Sequence, residues 1–170
     1  ESATAARASA LIAAAALAVD VKEYGRGRQH ADEALTLYRE LNDAWGIARA
    51  TFFQGYVAIE SGDFAEARPH FENSLERFSA LGAEHDVQLA LFNLSWACGE
   101  LGDDDRAREL ENECVRRARA SGLPRDVAFG LDLQSTRARD DDRLDDALDA
   151  ALESLRIRRD EGDVQHQLDG

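Results

Sequence analysis

Residues 48–82 read ARATFFQGYVAIESGDFAEARPHFENSLERFSALG. Two helices joined by a tight turn account for this stretch. The first carries apolar or small residues at Ala50, Thr51, Phe53, Gly55, Val57, Ala58 and Ile59. The second carries them at Phe64, Ala67, Phe71, Ser74, Leu75 and Phe78, spaced by threes and fours as one helical face requires. Ser61-Gly62-Asp63 separates the two. Gly62 suits the left-handed backbone that ends a helix. Asp63 is placed to accept a hydrogen bond from the first free amides of the next helix, with Glu66 in the capping-box position.

A shift of forty residues superposes the stretch on its flanks. Gly62-Asp63 becomes Gly102-Asp103. Tyr24, Phe64 and Leu144 share a column, with Asp104 as the exception, and Ala67, Ala107 and Ala147 share another, with Gly27 in the first copy. Ala34, Ser74, Cys114 and Ser154 are all small; Leu35, Leu75, Val115 and Leu155 are all aliphatic. Four copies keep register without an insertion. A fixed period of this size marks a stack of helix pairs, each touching mainly its neighbours.

The pattern predicts eight helices. Copy one spans 3–41 (helices 3–20 and 24–41), copy two 44–80 (44–61 and 64–80), copy three 84–120 (84–101 and 104–120) and copy four 124–160 (124–139 and 144–160). Turns are expected at Asn42-Asp43, Gly82-Ala83, Gly122-Leu123-Pro124 and Gly162-Asp163, and residues 162–170 read as the stub of a fifth copy. Pro124 fits the first turn of a helix, where its missing amide costs nothing. Methionine is absent even at position 1, so the chain reads as a trimmed piece of something longer.

The net charge is −14, from 34 acids and 20 bases. That disfavours general binding to nucleic acid or to anionic lipid, both of which need positive neutralisation. Residues 140–163 hold ten acids and four arginines, read as a solvated face or as a docking surface for a basic partner. No apolar run is expected to reach the roughly 18–20 residues that span a bilayer. Residues 8–19 are apolar enough for the core of a signal peptide, but they align with the first helix of every other copy and are read as structure.

The pattern small-x-x-aliphatic-small, Gly-Asp-aromatic-x-x-Ala, aromatic-x-x-small-Leu resembles the tetratricopeptide repeat. Gly55, Gly62, Asp63, Phe64, Ala67, Phe71, Ser74 and Leu75 carry it best. The forty-residue period exceeds the family's usual period of about 34. Such long copies, with Glu40-Leu41-Asn42-Asp43 closing a long second helix, resemble the C-terminal sensor arms of bacterial signal-transduction NTPases and LuxR-type transcription regulators. The resemblance implies an all-α, right-handed α-superhelix of four helix pairs that binds a protein or peptide segment in its concave groove. It also implies a cytoplasmic setting and an arm that senses a partner or inducer for modules elsewhere. Copies three and four depart from the pattern, with Asp104 for the aromatic and Arg143 for the turn Asp.

By the same resemblance, the first helix of each pair lines the groove. The inner positions are then Arg49, Phe52, Phe53, Tyr56, Ile59 and Glu60 in copy two, and Leu89, Phe92, Asn93, Trp96, Gly99 and Glu100 in copy three. Phe52–Tyr56 and Phe92–Trp96 are i, i+4 pairs, so each lies on one face. Stacked side by side they would make a four-ring strip with Arg49 and Asn93 beside it. Two readings stand: the rings grip a ligand, or they fill space between copies. Asp20, Glu60, Glu100 and Asp140 recur in one inner column and favour a basic ligand over a terminal carboxylate.

Other residues point to no chemistry. Cys98 and Cys114 occupy small columns and read as buried thiols, and no CxxC offers a zinc site. His30 and His70 share a column without further ligands. Asp103–Asp105 and Asp140–Asp142 lack the glycine and bidentate Glu of a calcium loop and sit where helix N-termini favour acids. Arg116, Arg117, Arg119, Arg156 and Arg159 form a basic ridge read as salt-bridged to nearby acids. No catalytic motif appears, so neither an enzyme nor a cofactor is expected. The remaining alternatives are a structural module that self-associates, including a homodimer through the ends of the stack, and a sensor of a small molecule.

Overall fold

The computed structural model describes residues 3–168, and side chains as far as residue 162. Eight helices account for the described residues: α1 (Ala3–Asp20), α2 (Tyr24–Glu40), α3 (Ala44–Glu60), α4 (Phe64–Leu81), α5 (Glu84–Glu100), α6 (Asp104–Ser121), α7 (Pro124–Asp140) and α8 (Leu144–Leu168). The fold is all-α and built of helix pairs, as the forty-residue repeat requires.

The turns explain the regularity. Lys22, Gly62, Gly102 and Asp142 share one column and all take positive φ, at 61°, 84°, 78° and 58°. Asn42, Gly82 and Gly122 share the other turn column and do the same, at 53°, 66° and 69°. One left-handed residue at each junction therefore reverses the chain, whether or not glycine supplies it. Asp43 and Asp63 then cap α3 and α4, accepting from the Gly46 amide at 2.9 Å and the Glu66 amide at 3.0 Å. Glu66 does not complete a reciprocal box; its carboxylate pairs instead with Arg28.

The chain divides into two compact units, Glu1–Ala107 and Arg108–Gly170. In the first, α1 packs on α2, α3 on α4, α2 on α3 and α4 on α5, and α1 also meets α3. Ala8, Ile12, Ala34, Leu35, Tyr38 and Ala50 form a core there, with Leu11, Leu37, Ile47 and Phe53 packed against it. The small residues let the helices approach, and Tyr38 fills the space they leave. It is only 2% exposed, and its hydroxyl lies 3.2 Å from the Ser9 hydroxyl. In the second unit α7 packs on α8, and Val115, Leu131 and Ala150 form the core with Val127 and Ile157 beside them.

Two expectations are corrected. Helix α8 runs on to Leu168, so no turn forms at Gly162-Asp163, and the described part of the stub belongs to α8; residues 169–170 lie outside the described residues. A lone glycine permits a turn without enforcing one, and Gly162 is not among the left-handed positions. Helix α1 is also, by length and composition, apolar enough to cross a membrane, contrary to the reading that no run comes close. Its alanines sustain one continuous 18-residue helix. Within the first unit Ala8, Ile12, Ala15, Ala18 and Val19 of this helix are buried.

Candidate functional site

The first helices of copies two and three, α3 and α5, carry the expected binding residues. Phe52, Phe53 and Tyr56 are each half-buried, as are Phe92 and Trp96. Phe52 and Tyr56 stack nearly parallel, at 8° with ring centroids 6.4 Å apart. Phe53 meets both edge-on, at 5.8 and 5.9 Å, and Phe52 rests on buried Phe71 of α4 at 5.4 Å. Phe71 anchors this ring group through Phe52, and Phe52 and Tyr56 remain partly exposed. Trp96 packs instead with Phe64 of α4, at 6.2 Å, and donates its indole N–H to Glu100 Oε1 at 3.2 Å. The expected four-ring strip is thus distributed between a Phe52-centred group and a Phe64–Trp96 pair. Both Phe64 and Phe71 come from second helices, which the inner-column pattern does not include.

Burial pushes the Tyr56 phenol above its ordinary range, and the charges of Glu60 and Asp20 push it the same way. Two carboxylates from successive first helices, Glu60 and Asp20, therefore act on one phenol. Glu60 is half-buried, while Asp20 and Glu100 are exposed.

Three expected groove residues are placed differently. Asn93 is only 6% exposed, and its amide donates to the Leu89 carbonyl of its own helix at 2.8 Å. A buried amide must find a partner, and the nearest carbonyl one turn back supplies it. Ile59 is buried in the core. Arg49 lies over the Trp45 ring, 5.1 Å from its centroid, and the Trp45 indole donates to Asp86 at 3.3 Å. The Arg49 charge is thus held against an indole rather than against the Phe52 group.

The second unit contains a cleft that the repeat pattern did not indicate. About 650 Å³ in volume, it is lined among others by Glu111, Arg119, Leu131, Arg143, Asp149 and Glu153. Arg119 spans it to Glu153 at 2.8 and 3.1 Å. Arg143 donates to Glu111 at 2.8 Å, and buried Arg137 reaches Asp141 at 2.8 Å. Burial raises the Glu111 carboxyl above the ordinary carboxylate range, against the Arg143 hydrogen bond. The alternation of Arg and Glu along α6 is the sequence signal for this network. Four of the five ridge arginines are ion-paired: Arg116 and Arg117 with Glu113, Arg119 with Glu153, and Arg159 with Asp160.

Comparison with solved structures finds the same fold in several helical proteins. The apo form of RapI superposes with a TM-score of 0.71 at 18% identity, covering 92% of this chain and 44% of that one. Aspartyl phosphate phosphatase F from Bacillus subtilis gives 0.70 at 13%, covering 93% and 50%, and BtubC from P. vanneervenii gives 0.69 at 16%, covering 91% and 64%. A Rap protein complexed with Competence and Sporulation Factor gives 0.60 at 18%, covering 88% and 51%. The chain spans less than two thirds of each of these proteins. No curated protein matches its sequence. Residues 46–120, which run from α3 to α6, match the family model described as tetratricopeptide repeat.

Proposed function

We propose that this chain is a protein-binding repeat module whose ligand-bearing face is formed by α3 and α5. A peptide segment lies against Phe52, Tyr56, Phe92 and Trp96, with Glu60 and Glu100 at the acidic end receiving a basic side chain. Arg49, held over Trp45, and Asn93, buried within α5, support these helices and do not themselves touch the segment. The observation that carries this reading is the Phe52–Tyr56 stack, half-buried and seated on Phe71, next to two carboxylates that both act on Tyr56. Rigid, partly exposed aromatic rings beside a few charges supply contact area at low entropic cost. The net charge of −14 favours a basic segment over an acidic one. A Rap neighbour of the same fold holds a factor in complex, which supports partner binding as a use of the fold.

On this reading the chain serves as the recognition arm of a larger bacterial, cytoplasmic regulator, with binding and no catalysis as its contribution. Isothermal titration of the chain with peptides combining aromatic or aliphatic residues with Arg or Lys tests it. Saturable binding lost in Tyr56→Ala and Trp96→Ala, with helicity intact, supports the groove. Unfolding of both variants makes the rings core and sinks the proposal. A second reading, self-association, is favoured by the exposed leucines of α8.

A further inference from the structure

Helix α8 carries two apolar faces where one would suffice. Ala147, Ala150 and Ser154 are buried within the second unit. Leu144, Leu148, Leu152 and Leu155 follow at steps of four, four and three, so they form a separate stripe down the helix. They are 64%, 58%, 42% and 63% exposed.

The repeat register shows that this stripe is not simply the junction used by the other copies. Leu155 continues an aliphatic column with Leu35, Leu75 and Val115. Leu148, however, stands in the column of Arg28, Arg68 and Arg108, and Leu152 in that of Asp32, Glu72 and Asn112. In the first unit those columns make polar junctions with the following copy: Arg28 pairs with Glu66, Arg68 reaches Asp103 at 3.2 Å, and Gln54 donates to Asp32 at 2.7 Å. In α8 two charged or polar columns have become leucine. A face altered in this way suits an apolar partner.

The charge order along α8 identifies that partner. Acids dominate its first turns, with Asp145, Asp146 and Asp149, and arginines follow at Arg156, Arg158 and Arg159. Antiparallel pairing of two such helices about a twofold axis near Ala150 sets Leu144 opposite the partner's Leu155 and Leu148 opposite the partner's Leu152. It also sets Asp145 beside the partner's Arg156. Parallel pairing would oppose acid to acid. An isologous contact requires this kind of self-complementarity. We propose that the Leu144–Leu155 stripe of α8 docks antiparallel on the same stripe of a second copy of this chain.

This surface lies outside the peptide face of the first unit, so the two proposals fail separately. Sedimentation velocity of the 170-residue chain between about 1 and 100 µM, a range that brackets ordinary dimer affinities, is expected to show a dimer. The double variant Leu148→Arg/Leu152→Asp restores the residue types of the first copy and should be monomeric, with unchanged circular dichroism. Asp145→Arg and Arg156→Asp should each weaken the dimer by about tenfold or more. Their combination, which restores opposite charges across the axis, should recover most of the loss. A chain monomeric throughout gives the stripe to another segment or partner and overturns the proposal. So does a dimer indifferent to Leu148→Arg/Leu152→Asp, or a charge reversal without recovery.

Discussion

The ring of Tyr38 lies across Gly46 so closely that a β-carbon at Gly46 would sit 2.1 Å from Tyr38 Cδ1. The second helix of copy one and the first helix of copy two meet through this contact. The Gly46 amide is also the donor that Asp43 caps. One residue thus sets both the start of α3 and its distance from α2. Gly46→Ala forces the buried Tyr38 ring to move and should destabilise the protein by about 1–3 kcal/mol in urea denaturation. Gly25→Ala, where nothing lies within 4 Å, should be neutral or stabilising by up to about 1 kcal/mol.

The left-handed turn column makes an opposite pair of predictions. Lys22 and Asp142 hold positive φ with a side chain attached. Replacing either by glycine should stabilise by about 0.5–1 kcal/mol, because the strain removed exceeds the chain entropy added. Gly62→Ala, in the same column, should cost about 1–2 kcal/mol. Equal effects at all three positions would show that the turns are held by packing and not by backbone preference.

His70 gives the fold a pH dependence of known sign. Burial lowers its imidazole below the ordinary 6.5, against the charges of Glu66 and Asp32. The folded state therefore favours the neutral ring, and the unfolded state binds the proton first. Stability from this group is present above about pH 6.5 and is lost as pH falls toward the folded value. The melting temperature of the native chain should drop more between pH 7.5 and 5.5 than that of His70→Gln. An identical drop in both would remove His70 as a source.

The two thiols should be silent in the folded protein. Cys98 and Cys114 are buried thiols outside any disulfide, and burial raises both, Cys114 to about 12. Reaction with a thiol reagent at pH 8 should be slow for native protein and rapid in denaturant, in proportion to the unfolded population. Rapid native labelling at Cys114 would mean that the second unit opens locally.

The elements themselves were legible because their signals are local and repeat. The turn column at 22, 62, 102 and 142 and the small columns fix α1–α7 to within a residue or so of their expected ends. What escaped depends on distance in the chain. The fit of Tyr38 to Gly46 joins two helices, and neither residue announces the other. Phe64 and Phe71 join the ring groups from a different helix than the pattern names. Asn93 occupies an inner column, yet it is buried and its amide is satisfied within α5. The continuation of α8 past Gly162 escaped because one glycine leaves both outcomes open.

The most direct test of the account is a single binding comparison on the aromatic face. An array of peptides carrying apolar residues beside Arg or Lys, with matched Asp or Glu versions, is probed with the native chain and with Tyr56→Ala. The account predicts retention of basic-apolar peptides, little retention of the acidic versions, and loss by tenfold or more in Tyr56→Ala at unchanged helicity. Equal retention of acidic and basic peptides, or retention by a folded Tyr56→Ala protein at native strength, would contradict it.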